Sequence, residues 1–159
     1  MGVPRVASGG GRDREIVVDG AGMVMGRLAS IVAKLLMLGW KVHVVNSEKI
    51  VLSGDPTMVV NSYRRTVLGV RSHFSHKWRP KRPRTPQRLF KHAVRGMLPK
   101  NKAKGRQALS RLRVYVGVPE SLKGKEVTRF PEADASRLGS TYVELGVVAR
   151  QLGWRGVER

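Results

Sequence analysis

The fold is decided by residues 15–45, which read EIVVDGAGMVMGRLASIVAKLLMLGWKVHVV. The run 15–18 is short and β-branched, and Asp19-Gly20 closes it as a turn would. From Met25 onward, apolar residues recur at every third or fourth position, which is typical of a helix with one buried face, and Gly39 suits a left-handed C-cap. Residues 42–45 are again extended. Because parallel strands need a crossover, right-handed by the general rule, the stretch predicts a βαβ unit.

The middle of the chain carries two helix starts of the same kind. Asp55-Pro56 and Thr85-Pro86 each place a capping oxygen directly before a proline. They predict one helix that runs to about residue 65 and another that runs through residue 98. Residues 66–84 lie between them and contain few aliphatic side chains but many Arg, Lys, Pro and His. We expect an extended basic loop whose order comes from a partner.

The remaining segments complete an α/β pattern. Residues 48–52 are predicted as a further extended segment, residues 113–117 as the last strand and residues 141–152 as the final helix. The predicted fold is therefore α/β, a single domain with a largely parallel central sheet flanked by helices and with the extended basic loop. We assign this domain to residues 15–154, with a Gly-rich flexible arm at 1–14 and a tail at 155–159.

The composition points to a polyanionic partner. The chain has 159 residues, 41% of them hydrophobic, and its 31 Lys and Arg against 11 Asp and Glu give a formal net charge of +20. So large a charge is expected beside nucleic acid, whereas no apolar stretch has the roughly 20 residues of a membrane span. The absence of cysteine excludes disulfides, thiol catalysis and thiolate metal sites. We also expect no secretory signal and a cytoplasmic location.

The charge is concentrated in one segment, residues 64–113, which we call the basic block. It holds 17 Lys and Arg, and no acidic residue occurs between Asp55 and Glu120. Surfaces that need only solubility mix both signs, so a long one-sign run indicates that phosphates supply the negative charge. The alternative is a disordered basic tail. The capped, partly apolar helices in mid-chain disfavour that alternative.

The predicted helix 85–98 shows how one element can both pack and bind. Its apolar residues Leu89, Phe90, Ala93, Val94 and Met97 fall on one side, and Arg88, Lys91, His92 and Arg95 fall largely on the other. Aromatic rings beside cations favour RNA over DNA, because RNA displays unpaired bases. Trp78 fits two readings equally well, a base-stacking residue or an anchor that pins its own loop. The candidate RNA-binding residues are Arg64, Arg65, Arg71, His73, His76, Lys77, Trp78, Arg79, Lys81, Arg82, Arg84, Arg88, Lys91, Arg95, Lys100, Lys102, Lys104 and Arg106.

Two other motifs suggest chemistry but lack the required pattern. The glycine turn 19–26 resembles a nucleotide-binding loop, yet its third glycine comes one residue too late for G-x-G-x-x-G. His73 and His76 form a close pair without the cysteines or carboxylates that would complete a metal shell. We therefore predict no cofactor, no metal and no catalytic residue. An enzyme that uses the glycine turn remains the rival hypothesis.

Several stretches resemble one known family, large-subunit ribosomal protein thirteen of the universal kind, in its archaeal or eukaryote-like form. Similar stretches near the start are Val18-Asp19-Gly20, residues 25–30 and residues 44–50. The strongest likeness runs from Val94-Arg95-Gly96-Met97-Leu98-Pro99 to Gly117, and residues 145–154 are similar to the family's terminal helix. The likeness covers about residues 15–154. Residues 75–80, SHKWRP, depart from the usual pattern of that loop, and the end at Arg159 favours the archaeal form.

The resemblance implies a structural protein of the large ribosomal subunit that binds and stabilises folded large-subunit rRNA and acts early in assembly. It implies large-subunit rRNA and neighbouring ribosomal proteins as partners and a ribosome-bound cytoplasmic location. It also implies that the protein neither binds a membrane nor forms homo-oligomers. A regulatory RNA-binding module that works away from the ribosome is a second rival.

Overall fold

The computed structural model describes residues 14–69 and 81–156. Over these residues the chain forms five α-helices and six β-strands, with short 3₁₀ turns between them. The strands are β1 (Glu15–Asp19), β2 (Lys41–Val45), β3 (Val51–Ser53), β4 (Leu112–Val114), β5 (Val127–Thr128) and β6 (Tyr142–Glu144). The helices are α1 (Met25–Met37), α2 (Pro56–Val67), α3 (Pro86–Met97), α4 (Ala103–Ser110) and α5 (Leu145–Gln151).

The central sheet has the strand order β4-β2-β1-β5, and every pairing in it is parallel. Strands β1 and β2 pair from Glu15 opposite Lys41 to Asp19 opposite Val45, with α1 as their crossover. This confirms the βαβ unit and the α/β fold with a largely parallel sheet. Gly39 has φ +93°, the left-handed conformation expected after the end of α1.

The segment after β2 differs from the prediction. Residues 48–52 were expected to be extended throughout, but Ser47–Lys49 form a 3₁₀ turn and β3 begins at Val51. The cause is Asn46, which adopts a left-handed φ of +54° while its side-chain amide donates to Asp19 Oδ1 at 2.9 Å. That bend sends β3 out of the central sheet and into a separate antiparallel pair with β6.

The carboxyl-terminal third also differs. The predicted last strand 113–117 is β4, which spans 112–114, and two more strands follow it. The predicted helix 141–152 begins only at Leu145, because residues 142–144 form β6 and pair with β3. A partner about ninety residues away in sequence thus overrides a local helical pattern, as is common for strands.

The core lies where the helices cover the central sheet. Helix α1 packs against α3 and α4, and α3 also contacts β4 and α5. Leu28, Leu36, Phe90, Leu112 and Leu145 are all fully enclosed in this one cluster. Helix α3, which carries the apolar and basic residues singled out above, is therefore fixed to the scaffold by its apolar side.

Helix α4 was not predicted from the sequence. Its interior contains Gly105, and a proline precedes it at position 99. A Cβ at position 105 would overlap the Pro99 carbonyl group, so the glycine lets that segment lie directly against the helix. The glycine therefore serves packing and does not end the helix.

Candidate nucleic-acid interface

Both predicted caps form, and they fix the starts of the two mid-chain helices. The Thr57 N–H donates to Asp55 Oδ1 at 2.7 Å, and the Arg88 N–H donates to Thr85 Oγ1 at 3.4 Å. Each cap is followed by proline at the first helical position. The starts of α2 and α3 are confirmed at Pro56 and Pro86, and α2 runs two residues further than predicted, to Val67.

Helix α3 divides its faces much as predicted. Leu89, Phe90 and Val94 are buried. Arg88, His92 and Arg95 are exposed, while Lys91 is half-buried. The prediction for Met97 was wrong, because 48% of this residue is exposed. It is the last residue of the helix and lines a shallow groove beside α1 with Ala33 and Met37 instead of entering the core.

The structure describes twelve of the eighteen candidate RNA-binding residues, and eleven of them are exposed. Lys91 is the half-buried exception. The twelve residues come from four places: the last turn of α2, the segment 81–84, helix α3, and the start of α4 with the residues before it. The twelve are Arg64, Arg65, Lys81, Arg82, Arg84, Arg88, Lys91, Arg95, Lys100, Lys102, Lys104 and Arg106. Arg71, His73, His76, Lys77, Trp78 and Arg79 lie outside the described residues, as does most of the predicted basic loop.

The cations of the basic block have no carboxylate partners among residues 14–69 and 81–156. The ion pairs found there join Glu15, Asp19, Glu120 and Asp134 to His43, Lys123, Lys125 and Arg129. In the block, Arg64 donates to the neutral Gln151 Oε1 at 2.5 Å. The block therefore presents charge that the described part of the chain does not neutralise.

The start of α4 gathers several lysines at the positive end of a helix. Lys102 is the N-cap residue, Lys104 lies in the first turn, and no acidic residue is found in that turn. Cations there oppose the helix dipole and cost roughly 0.3–1 kcal/mol each. An anion bound beside this helix end would remove that cost.

A cavity of about 260 Å³ lies where α2, α3 and the segment 81–84 meet. Three of its lining side chains have planar groups that can stack on a ligand, and they are Tyr63, Arg82 and His92. Thr66, Pro83 and apolar side chains from α1, α2 and α3 complete the lining. The cavity therefore shows that cationic and aromatic groups from separate stretches of sequence share one surface.

Tyr63 is the residue that the sequence reasoning missed. It is half-buried against the main core, and burial raises the pKa of its phenol, which stays protonated at neutral pH. The available signal was an aromatic residue directly before Arg64-Arg65. Arg111, by contrast, is a structural cation, since it donates to the Leu36 carbonyl oxygen at 2.7 Å.

The glycine turn after β1 is filled by the chain's own groups. Asp19 Oδ1 accepts hydrogen bonds from the Ala21 N–H at 3.0 Å and from the Asn46 amide. Arg129 donates to the Ala21 carbonyl oxygen at 2.9 Å, and a Cβ at Gly20 would lie 2.8 Å from Ile50 Cγ1. The turn's polar groups thus stabilise the fold, which disfavours the rival enzyme hypothesis.

Nowhere among the residues that the structure describes do three His, Asp or Glu side chains converge as metal ligands would. None of the described helices is both long and apolar enough to cross a bilayer.

Comparison with known proteins decides the family. The profile of the family described as ribosomal protein L13 matches residues 13–121, which is more than half of the chain. The chain is 82% identical to large ribosomal subunit protein uL13 of Aeropyrum pernix, over 92% of this chain and 95% of that protein. It is 40% identical to uL13 of Saccharolobus solfataricus, over 91% of this chain and 97% of that protein. It is 44% identical to uL13 of Methanosarcina barkeri, over 86% of this chain and 96% of that protein.

The chain belongs to the ribosomal protein L13 family. The resemblance seen in the sequence is confirmed, and the archaeal relatives support the archaeal form. As a member of this family the chain is a structural component of the ribosome and not an enzyme.

Proposed function

We propose that this ribosomal L13 protein is a component of the large ribosomal subunit that binds and stabilises folded large-subunit rRNA. Its basic block neutralises phosphates where RNA helices meet, and it joins the particle early in assembly. In this proposal the protein is bound to cytoplasmic ribosomes beside other large-subunit proteins and does not form homo-oligomers. Its relatives carry the name large ribosomal subunit protein uL13, which supports this placement.

The observation that carries the proposal is the set of exposed, unneutralised cations on elements fixed to the core. Arg88 and Arg95 project from a helix whose other side buries Phe90 and Val94. Because the backbone of α3 is already ordered, binding costs less conformational entropy than it would for a disordered basic segment, and guanidinium groups can contact phosphate oxygens in bidentate geometry. We therefore expect a preformed phosphate-binding surface, with the start of α4 as a second contact.

We predict that reversing the charge of α3 strongly weakens rRNA binding without unfolding the protein. The variant combines Arg88→Glu, Lys91→Glu and Arg95→Glu. Each lost phosphate contact lowers the slope of log affinity against log salt by about one. We expect a loss of at least about a hundredfold in affinity for deproteinised large-subunit rRNA near 0.15 M salt. Filter binding measures the affinity, and circular dichroism checks the fold.

A matched control makes the same change in net charge elsewhere. Arg27→Glu, Lys34→Glu and Arg137→Glu replace three exposed cations outside the basic block. This control should retain most of the affinity, because a long-range effect of net charge is screened near 0.15 M salt, where the Debye length is about 8 Å. Equal losses in the two triple variants would contradict a localised rRNA surface.

Sedimentation separates this proposal from a regulatory RNA-binding role. A structural component remains with large subunits in high-salt gradients, because many of its contacts are buried in the particle. A regulatory module would dissociate as its phosphate contacts are screened.

A further inference from the structure

The cavity between α2 and α3 has the features of a receptor for one planar group. Its volume of about 260 Å³ is slightly below the ~300 Å³ at which pockets for drug-sized ligands begin. This is room for one ring system and not for a run of nucleotides. Resting on the function proposed above, we infer that this cavity receives a single unpaired base of the rRNA, turned out of its helix.

The floor of the cavity is apolar and packs against the main core. Leu89 is buried, and Met25, Val67 and Ala93 are partly buried side chains packed against the main core. Such a floor excludes water from one face of an inserted ring, and burial of apolar surface contributes about 25 cal/mol per Å². A nucleobase has an apolar face that can be buried against these side chains.

The walls supply the groups that recognise bases. Tyr63 and His92 present aromatic rings from two different helices, and Arg82 presents a guanidinium group. Unpaired RNA bases stack on such rings and on arginine planes. Because its phenol stays protonated, Tyr63 can also donate a hydrogen bond to the polar edge of a base.

The surroundings decide between an RNA base and a protein side chain as the occupant. Arg82 lines the cavity itself, and the exposed Arg88 lies one helical turn before His92, on the same side of α3. A base arrives with a phosphate on each side, which these cations can neutralise. A protruding protein side chain brings no such charge. The charge around the cavity therefore favours RNA.

A second groove on the same molecule lacks these features. It has a volume of about 350 Å³ between α1 and the end of α3, and it is lined by Ser30, Ala33, Lys34, Met37 and Met97. It contains one cation and no aromatic ring, so nothing there selects a base. The inference applies to the α2–α3 cavity alone.

The test is ultraviolet crosslinking of the full-length protein to deproteinised large-subunit rRNA, followed by nuclease digestion and peptide mass spectrometry. We expect mononucleotide adducts on Tyr63 or His92. The variant Thr66→Phe places a ring at the exposed edge of the cavity without touching the core. It should remove these adducts and weaken rRNA binding about fivefold, the lower end of the effect of one stacked base.

Thr57→Phe is the matched control, because it makes the same exchange at an exposed position in the first turn of the same helix, away from the cavity. It should leave adducts and affinity unchanged, and circular dichroism should show both variants folded. If rRNA is bound but the adducts fall elsewhere, for example on Trp78, or survive Thr66→Phe, the inference is wrong and the proposed function stands. If no rRNA is bound at all, both fail.

Discussion

At the scale of single residues, Gly105 decides whether α4 can lie against the chain that precedes it. Replacing it with alanine would drive the Cβ into the Pro99 carbonyl group, and backbone cannot move aside as a side chain can. We predict that Gly105→Ala lowers the free energy of unfolding by about 1–3 kcal/mol, the usual range for overpacking. Urea denaturation followed by circular dichroism measures this change.

Gly96 provides the control within the same protein. It lies in α3 with ordinary backbone angles, and a Cβ built there meets nothing within 4 Å. Gly96→Ala should therefore raise the free energy of unfolding by about 0.4–1 kcal/mol, since alanine reduces the freedom of the unfolded chain. Destabilisation of similar size in both variants would refute the packing role assigned to Gly105.

What the sequence could not reveal at this scale is contact across the fold. Asn46 is a common turn residue, but its bond to Asp19 depends on the parallel pairing of β1 and β2. Tyr63 looks like an ordinary apolar position until the segment 81–84 and α3 come to lie beside it. Met97 follows the apolar period of α3 yet ends up half-exposed, because none of the described elements encloses it at the last turn of that helix.

At the scale of elements, the Asp55 cap fixes the first turn of α2, the helix whose last turn carries Arg64 and Arg65. None of the residues of α2 is fully buried, so packing contributes less to this helix than to α3. We predict that Asp55→Ala lowers the free energy of unfolding by about 1 kcal/mol and speeds amide exchange in the first turn. Thr85→Ala should lower the free energy of unfolding by less, because the cap bond of Thr85 is 3.4 Å long and that of Asp55 is 2.7 Å.

Asp55→Asn tests whether the effect is truly one of capping. Asparagine caps helices about as well as aspartate, so this variant should keep nearly the full stability. If Asp55→Asn loses as much stability as Asp55→Ala, the stabilising effect of Asp55 comes from its charge and not from its cap bond. Hydrogen exchange followed by mass spectrometry resolves the effect to α2.

Elements defined by local chemistry were predictable, and those defined by distant partners were not. Asp55-Pro56 and Thr85-Pro86 mark helix starts by themselves, and the period of α1 is visible in 13 consecutive residues. Strands β5 and β6 are two and three residues long and exist only through pairing with β1 and β3. Helix α4 was not predicted because it contains a glycine, which is unfavourable inside a helix. The reason for that glycine is its close contact with Pro99, which only the structure shows.

At the scale of the whole molecule, charge is separated along the chain. Within the described residues, the ion pairs use the acids of the β1 region and of residues 120–134, while the basic block has none. The central parallel sheet and α1 supply the rigid support, and α2, α3 and α4 carry the cations. The basic block could be recognised from the sequence, whereas the cavity between α2 and α3 could not.

The most direct test of this account is electron cryo-microscopy of a large ribosomal subunit that contains this protein. We predict that the exposed cations of residues 81–106 lie within about 4 Å of rRNA phosphate oxygens, the distance of an ion pair. We also predict that α3 faces rRNA along its length. A particle in which this segment faces open solvent, or contacts only other proteins, would contradict the central claim.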